Sequence, residues 1–213
     1  MINRIADMSP RKAALVVGIA LIAMFFLAIF IDDFVLSNFI GPGDTETLAS
    51  DIEASEMRFG IAVAGYLIIL MLDVAIALAL YVILKPANKK LASLTAVLRL
   101  LYAAILIISV LALLFQFIDV FSYGTTKLIG YIFFTLHIFA LGYSIFKSGY
   151  IPRSLGILLI IASFCYIILL YGNFLVPEAL LPIFVVPAAI AELSLGIWLL
   201  LKRAKMPEMK SSS

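Results

Sequence analysis

Apolar residues occur along this chain in long runs separated by short breaks. Six runs are close to or beyond the length of about 20 residues needed to cross the hydrocarbon core of a bilayer, at roughly 12–31, 59–84, 91–118, 128–147, 154–172 and 182–201. None alternates with the period of two expected for a strand, and all are too long for strands. The breaks between them are rich in helix-stopping chemistry: Gly41-Pro42-Gly43, Lys85-Pro86-Ala87-Asn88, Ser148-Gly149-Tyr150-Ile151-Pro152, and Asn173 through Pro182. The pattern predicts an all-α integral membrane protein, a six-transmembrane-helix bundle forming a single transmembrane domain over 1–213. It carries a long loop at 32–58 and a basic tail at 202–213. Within that loop Asp44 is placed to cap a short helix carrying Leu48, Ile52 and Met57 on one side and acids on the other.

Composition agrees with the pattern. Of 213 residues 65% are hydrophobic and 13% charged, with a mean hydropathy of +1.20. Soluble domains are about 45–50% apolar and about a quarter charged, so lipid must solvate much of this surface. The first apolar run follows Arg4, Arg11 and Lys12, but Ala13 to Ile31 is too long for a signal-peptide core and lacks a small-residue cleavage site. It reads as a retained first helix. A formal charge of +2 without a basic, aromatic-interleaved patch argues against a nucleic-acid partner. The single cysteine, Cys165, excludes an intrachain disulfide and any paired-cysteine metal site.

Charge gives an orientation. Arg4, Arg11, Lys12, Lys85, Lys89, Lys90, Lys147, Arg153, Lys202, Arg203, Lys205 and Lys210 fall on one side of the threading; only Arg58 and Lys127 fall on the other. By the positive-inside rule both termini are expected in the cytoplasm and the protein in the plasma membrane as a multi-pass chain. The acidic residues cluster on the opposite side and read as solvated loop.

Four ionisable side chains remain within the spans: Asp73, Arg99, His137 and Glu192. At 1.5 Å per helical residue, Asp73 stands about 18 Å from Lys85, Arg99 about 14 Å from Lys90, and His137 and Glu192 each about 15 Å from Lys147 and Lys202. All four therefore lie near the middle of a core about 30 Å thick, where a charge costs about 2.5–3.5 kcal/mol on insertion scales. They are expected to face inward and meet, with Arg99 close to Asp73 or Glu192. Tyr66, Tyr102 and Ser144 share helix faces with them as supporting residues. Pro187 removes a backbone donor near Glu192, and Ala188 and Gly196 give that helix a small-residue face. Two carboxylates beside one fixed cation call for a proton, on a carboxyl or on His137. A metal site is disfavoured, because no paired His/acid spacing occurs and Arg99 opposes a cation; no cofactor is expected. The serines within the spans lack nucleophile context.

The second, fourth and sixth runs end alike. Tyr81, Tyr143 and Trp198 each precede a lysine by four positions, and Asp73, His137 and Glu192 precede those lysines by twelve, ten and ten. The stretch from Arg99 to Tyr102 is echoed by Ser163 to Tyr166, which suggests a hairpin repeat of 66–103 with 131–167. Belt aromatics and inside lysines arise in any membrane protein, but the common depth of the ionisable groups does not follow from them.

Leu72-Asp73, Ala79 through Pro86, and Leu98 through Ala103 resemble the first half of the domain-of-unknown-function family 4386. His137, Leu141-Gly142-Tyr143, Lys147 through Arg153, Leu155-Gly156, Tyr166, Pro187-Ala188 and Glu192 through Trp198 resemble its second half. The similarity covers about residues 10–203, with the loop 32–58 departing freely. It implies a small prokaryotic multi-helix membrane protein in which Asp73, Arg99, His137 and Glu192 occupy motif positions, and it brings no substrate. Three roles are compatible with these residues. The first is binding or transport of a small solute or proton through the polar layer. The second is a structural or accessory subunit, as a homo-oligomer or with a partner membrane protein. The third is an intramembrane enzyme acting on lipid, with Glu192 or His137 as acid/base.

Overall fold

The computed structural model describes residues 8–31, 56–115, 117, 120–177 and 180–202. Six helices account for nearly all of them: α1 Pro10–Ile29, α2 Glu56–Leu84, α3 Lys89–Leu114, α4 Val120–Ser148, α5 Arg153–Leu175 and α6 Leu181–Lys202. All six are long and apolar enough to cross a membrane, and no strand occurs among the described residues. The expected surface helix after Asp44 and most of the basic tail lie outside them.

Two helix ends depart from the sequence expectation. α4 begins at Val120 rather than near 128, because the stretch Ser122 to Lys127, polar enough to read as loop, forms two further turns. There the Thr126 hydroxyl donates to the Ser122 carbonyl of its own helix, so the polar side chain is satisfied locally. α3 ends at Leu114 rather than 118.

Local chemistry places the remaining ends. Ser9 caps α1, its side chain accepting from the Lys12 amide, with Pro10 at the first helical position. Pro86 stops α2; the Lys85 amide still donates to Tyr81 at 2.9 Å, and Asn88 then caps α3 by accepting from the Leu91 amide at 3.1 Å. At the same end of the bundle, Gly149 adopts φ +79° to turn the chain out of α4. The Tyr150 hydroxyl donates to the Ile83 carbonyl at 2.5 Å, tying this loop to the end of α2.

The helices pack as a closed ring. Each lies against its sequence neighbours, and α6 returns to pack on α1. From α2 to α6, antiparallel neighbours joined by short connections produce this order without crossovers. Glycines set the closest approaches. A Cβ at Gly142 of α4 would stand 2.7 Å from the Gly156 carbonyl oxygen of α5, and one at Gly156 would meet the Gly142 carbonyl at the same distance. Gly18 of α1 and the Gly196 carbonyl of α6 close the ring in the same way. One core runs through all six helices. Outward, large apolar side chains such as Phe26, Met71, Ile108, Phe164, Ile183 and Leu201 are exposed. Such a surface needs lipid as its solvent.

The interior is filled unevenly. Toward the end carrying Lys85 and Lys147, Ile76, Leu80, Ile83, Ile138, Leu141, Ile145, Leu159 and Leu199 pack with at most 2% exposure. Toward the other end the ring encloses space.

Candidate functional site

That space is a cavity of about 240 Å³ to which all six helices contribute. Its lining begins at Tyr123 and Lys127 in the first turns of α4 and continues inward through Tyr66, Tyr131, Tyr102 and Phe134 to Tyr166 and Glu192. Apolar residues, among them Leu21, Met24, Ile69, Leu106 and Val185, fill the rest of the wall. Small side chains at Ala28, Ala188 and Ala189 leave the room that leucines close in the other half.

The four ionisable residues divide between two environments. Asp73, Arg99 and His137 are buried to 1% exposure or less, and none lines the cavity. Arg99 donates from Nε to Asp73 Oδ1 at 2.8 Å, and its Nη2 stands 2.5 Å from the same oxygen. Its Nη1 lies 3.1 Å from His137 Nε2, while His137 Nδ1 lies 2.8 Å from the Thr95 carbonyl. A carbonyl can only accept, so the imidazole proton sits on Nδ1, and Nε2 accepts from the guanidinium. Each ring nitrogen thus has a fixed task, and a second proton on the ring would face Arg99. Below His137 the Thr95 hydroxyl donates to Leu91 at 2.9 Å and stands 3.2 Å from Ser144 Oγ; Ser144 donates to Ala140 at 2.7 Å. One carboxylate, one guanidinium and one neutral imidazole make a layer whose charge closes without further protons. Two atoms of the layer, Asp73 Oδ2 and Arg99 Nη2, are buried and make no hydrogen bond among the described residues, Nη2 keeping only its ion-pair contact with Oδ1.

Glu192 does not join this layer. It is partly exposed, it lines the cavity, and one carboxylate oxygen accepts a 2.5 Å hydrogen bond from the Tyr166 hydroxyl of α5. Of the two partners expected for Arg99, Asp73 takes the guanidinium; the expectation that all four ionisable groups meet is corrected, because Glu192 takes a phenol. The reason lies in the ring. α2, α3 and α4 are consecutive neighbours and bring Asp73, Arg99 and His137 together, whereas α6 packs on α5 and α1.

Phe134 separates the two environments. One of its neighbours is the Arg99 guanidinium, 5.7 Å from its centroid. Tyr102 and Tyr166 flank it at centroid distances of 4.8 and 5.1 Å. These two tyrosines are the ones that the hairpin comparison matched; Ser163, matched to Arg99, instead bonds its own helix at Ile160. Farther out, Lys127 Nζ rests 5.9 Å from the Tyr66 centroid and 5.8 Å from that of Tyr131. Of the supporting residues, Tyr66 and Tyr102 line the cavity, Ser144 lies under the triad, and Pro187 sits within α6, which continues through it.

Sequence reasoning missed Tyr166 as the partner of Glu192, and with it Tyr131, Phe134 and Lys127 as cavity wall. The available signal was a set of tyrosines well inside four spans, in the halves away from Lys85 and Lys147 and deeper than interfacial belts require. No group of three or more metal-ligating side chains occurs among the described residues.

Comparison with known proteins gives the family. An uncharacterized protein of Archaeoglobus fulgidus is 34% identical over 154 residues, which span 71% of this chain and 89% of the relative. No solved structure matches. The family model described as a domain of unknown function (DUF4386) matches residues 16–117 and 114–202, covering nearly the whole chain. The chain therefore belongs to the DUF4386 family.

Proposed function

We propose that this protein binds a small solute in the cavity between its six helices, as a membrane receptor or as the loaded state of a carrier, with Glu192 as the polar anchor. The observation that carries this reading is the position of Glu192: a carboxyl group facing a cavity at mid-span, held by Tyr166 through one oxygen. An ionisable group at that depth is costly and normally functional. A largely apolar cavity with a few convergent polar groups is the usual form of a small-ligand site. The triad then serves as a rigid floor that blocks the inner half of the bundle, and any proton exchanged with solute belongs to Glu192. We take the end carrying Lys85, Lys147 and Lys202 to be cytoplasmic, which directs the cavity to the outside of the cell membrane. Single cysteines test this in a Cys165→Ala background: Thr125→Cys is labelled by an impermeant maleimide in intact cells and Asn88→Cys is not. The opposite pattern reverses the orientation.

The binding reading is tested by thermal unfolding of the purified protein against a small-molecule panel at pH 5 to 8. A stabilising compound raises the midpoint in proportion to ligand excess over Kd, and Glu192→Gln removes that rise. A structural or accessory role is the second reading, favoured by the closed triad, which resembles an interior built for helix pairing. If no compound acts and Glu192→Gln is silent, that role stands alone. The lipid-enzyme reading draws support from the carboxyl alone; among the described residues no serine, threonine, cysteine or histidine lines the cavity beside Glu192.

A further inference from the structure

We infer that the ligand of this cavity is a small organic cation, a protonated or quaternary amine, and that Lys127 is a tethered cation competing for the same aromatic wall. The inference rests on the cavity being a binding site and adds the charge class of its occupant.

Three observations lead to it. First, among the described residues Glu192 is the only acid that lines the cavity. Tyr166 occupies one of its oxygens, and the other has no hydrogen-bond partner among the described residues, so it can accept from an ammonium. Second, the wall above Glu192 is built of Tyr66, Tyr102, Tyr131, Phe134 and Tyr166, and aromatic faces attract cations and repel anions. Third, this wall already holds a cation from the chain itself: Lys127 Nζ lies within 6 Å of the Tyr66 and Tyr131 centroids. Arg99 is not itself part of the wall: it stands behind Phe134, in direct contact with Asp73.

Size limits the occupant further. A cavity of about 240 Å³ is smaller than the roughly 300–1,000 Å³ of drug-sized sites, which suits an amine with one ring or a short chain. The apolar wall formed by Leu21, Met24, Ile69 and Leu106 would contact its hydrocarbon part.

The test uses the full-length protein in nanodiscs with three near-isosteric probes: 2-phenylethylammonium, 2-phenylethanol and 3-phenylpropionate. Calorimetric titration and unfolding midpoint are read for the parent, Glu192→Gln and Lys127→Met. The cation is expected to bind and raise the midpoint, with the alcohol and the anion at least about tenfold weaker, the size of one charge-assisted hydrogen bond. Glu192→Gln should weaken the cation by about the same factor. Lys127→Met should strengthen it by roughly two- to fivefold, because a competing cation–π contact is removed. That opposite sign keeps the inference testable even where Glu192→Gln does not fold. Equal binding of alcohol and cation, or preferential binding of the anion lost in Lys127→Met, overturns the cation assignment and leaves the cavity as a binding site. No response to any of the three probes overturns the assignment and counts against the binding reading as well.

Discussion

Asp73 and Glu192 are both acids near the middle of the bundle, and the protein treats them in opposite ways. Asp73 is fully buried, bonded to Arg99, and belongs to a layer in which carboxylate, guanidinium and imidazole are bonded to one another. Glu192 is partly exposed to a cavity and bonded only to a neutral phenol. The depth of an ionisable group therefore does not decide its role; what surrounds it does. Charges that meet inside a packed layer are paired with one another, whereas a carboxyl facing unfilled space keeps an oxygen open.

The contrast makes its largest prediction at Arg99. Arg99→Ala leaves Asp73 buried and unpaired and should cost on the order of 3–5 kcal/mol in detergent unfolding, or abolish folding. Replacing Asp73, Arg99 and His137 together by apolar residues of similar volume should recover most of that loss, since a buried ion pair is seldom the cheapest way to join helices. A mild Arg99→Ala would mean that water reaches the triad, and the contrast with Glu192 would vanish.

Helix spacing should be next in size. Gly142→Ala places a methyl group 2.7 Å from the Gly156 carbonyl oxygen and should destabilise by about 1–3 kcal/mol as α4 and α5 move apart. Comparing ligand response with unfolding in this variant shows whether the cavity tolerates a change in the ring that carries it.

Glu192→Gln should change stability by less than about 1 kcal/mol, because the Tyr166 hydroxyl can donate to an amide oxygen as it does to a carboxylate. A loss as large as that of Arg99→Ala would place Glu192 in the same structural class as Asp73.

The smallest effect belongs to the connection that ties the loop after α4 to the end of α2. Burial raises the Tyr150 phenol from its ordinary value near 10 to about 12. Its protonated form is the one favoured in the folded state. The contribution is therefore complete below about pH 10 and is lost as pH climbs through about 12. Tyr150→Phe should cost about 0.5 kcal/mol near neutrality and flatten the alkaline limb of the stability–pH curve.

The spans were legible because a bilayer leaves few ways to satisfy backbone polar groups, so length and hydropathy are nearly sufficient. Where polarity intrudes within a helix the same criteria fail. The first turns of α4 hold Ser122, Thr125, Thr126 and Lys127, and they read as loop because hydropathy is blind to hydroxyls that bond their own helix. The common depth of Asp73, Arg99, His137 and Glu192 was also legible, from residue counts alone. Which of them touch was not. Contact depends on the order of helices around the ring, and that order comes from close approaches such as Gly142–Gly156 and Gly18–Gly196, whose partners no spacing reveals. The cavity was hidden for a related reason: it is a shortage of volume, set by alanines on α1 and α6 opposite ring systems on α3, α4 and α5.

The central claim, that Glu192 faces accessible space while the triad is sealed, is tested most directly by thiol accessibility one turn from each acid. In a Cys165→Ala background, Ala189→Cys lies on the cavity wall and Ala77→Cys lies beside Asp73 in fully buried surroundings. A small water-soluble methanethiosulfonate should modify Ala189→Cys within minutes in the folded protein and leave Ala77→Cys unreacted until unfolding. Protection at both positions, or reaction at both at the same rate, would contradict the division.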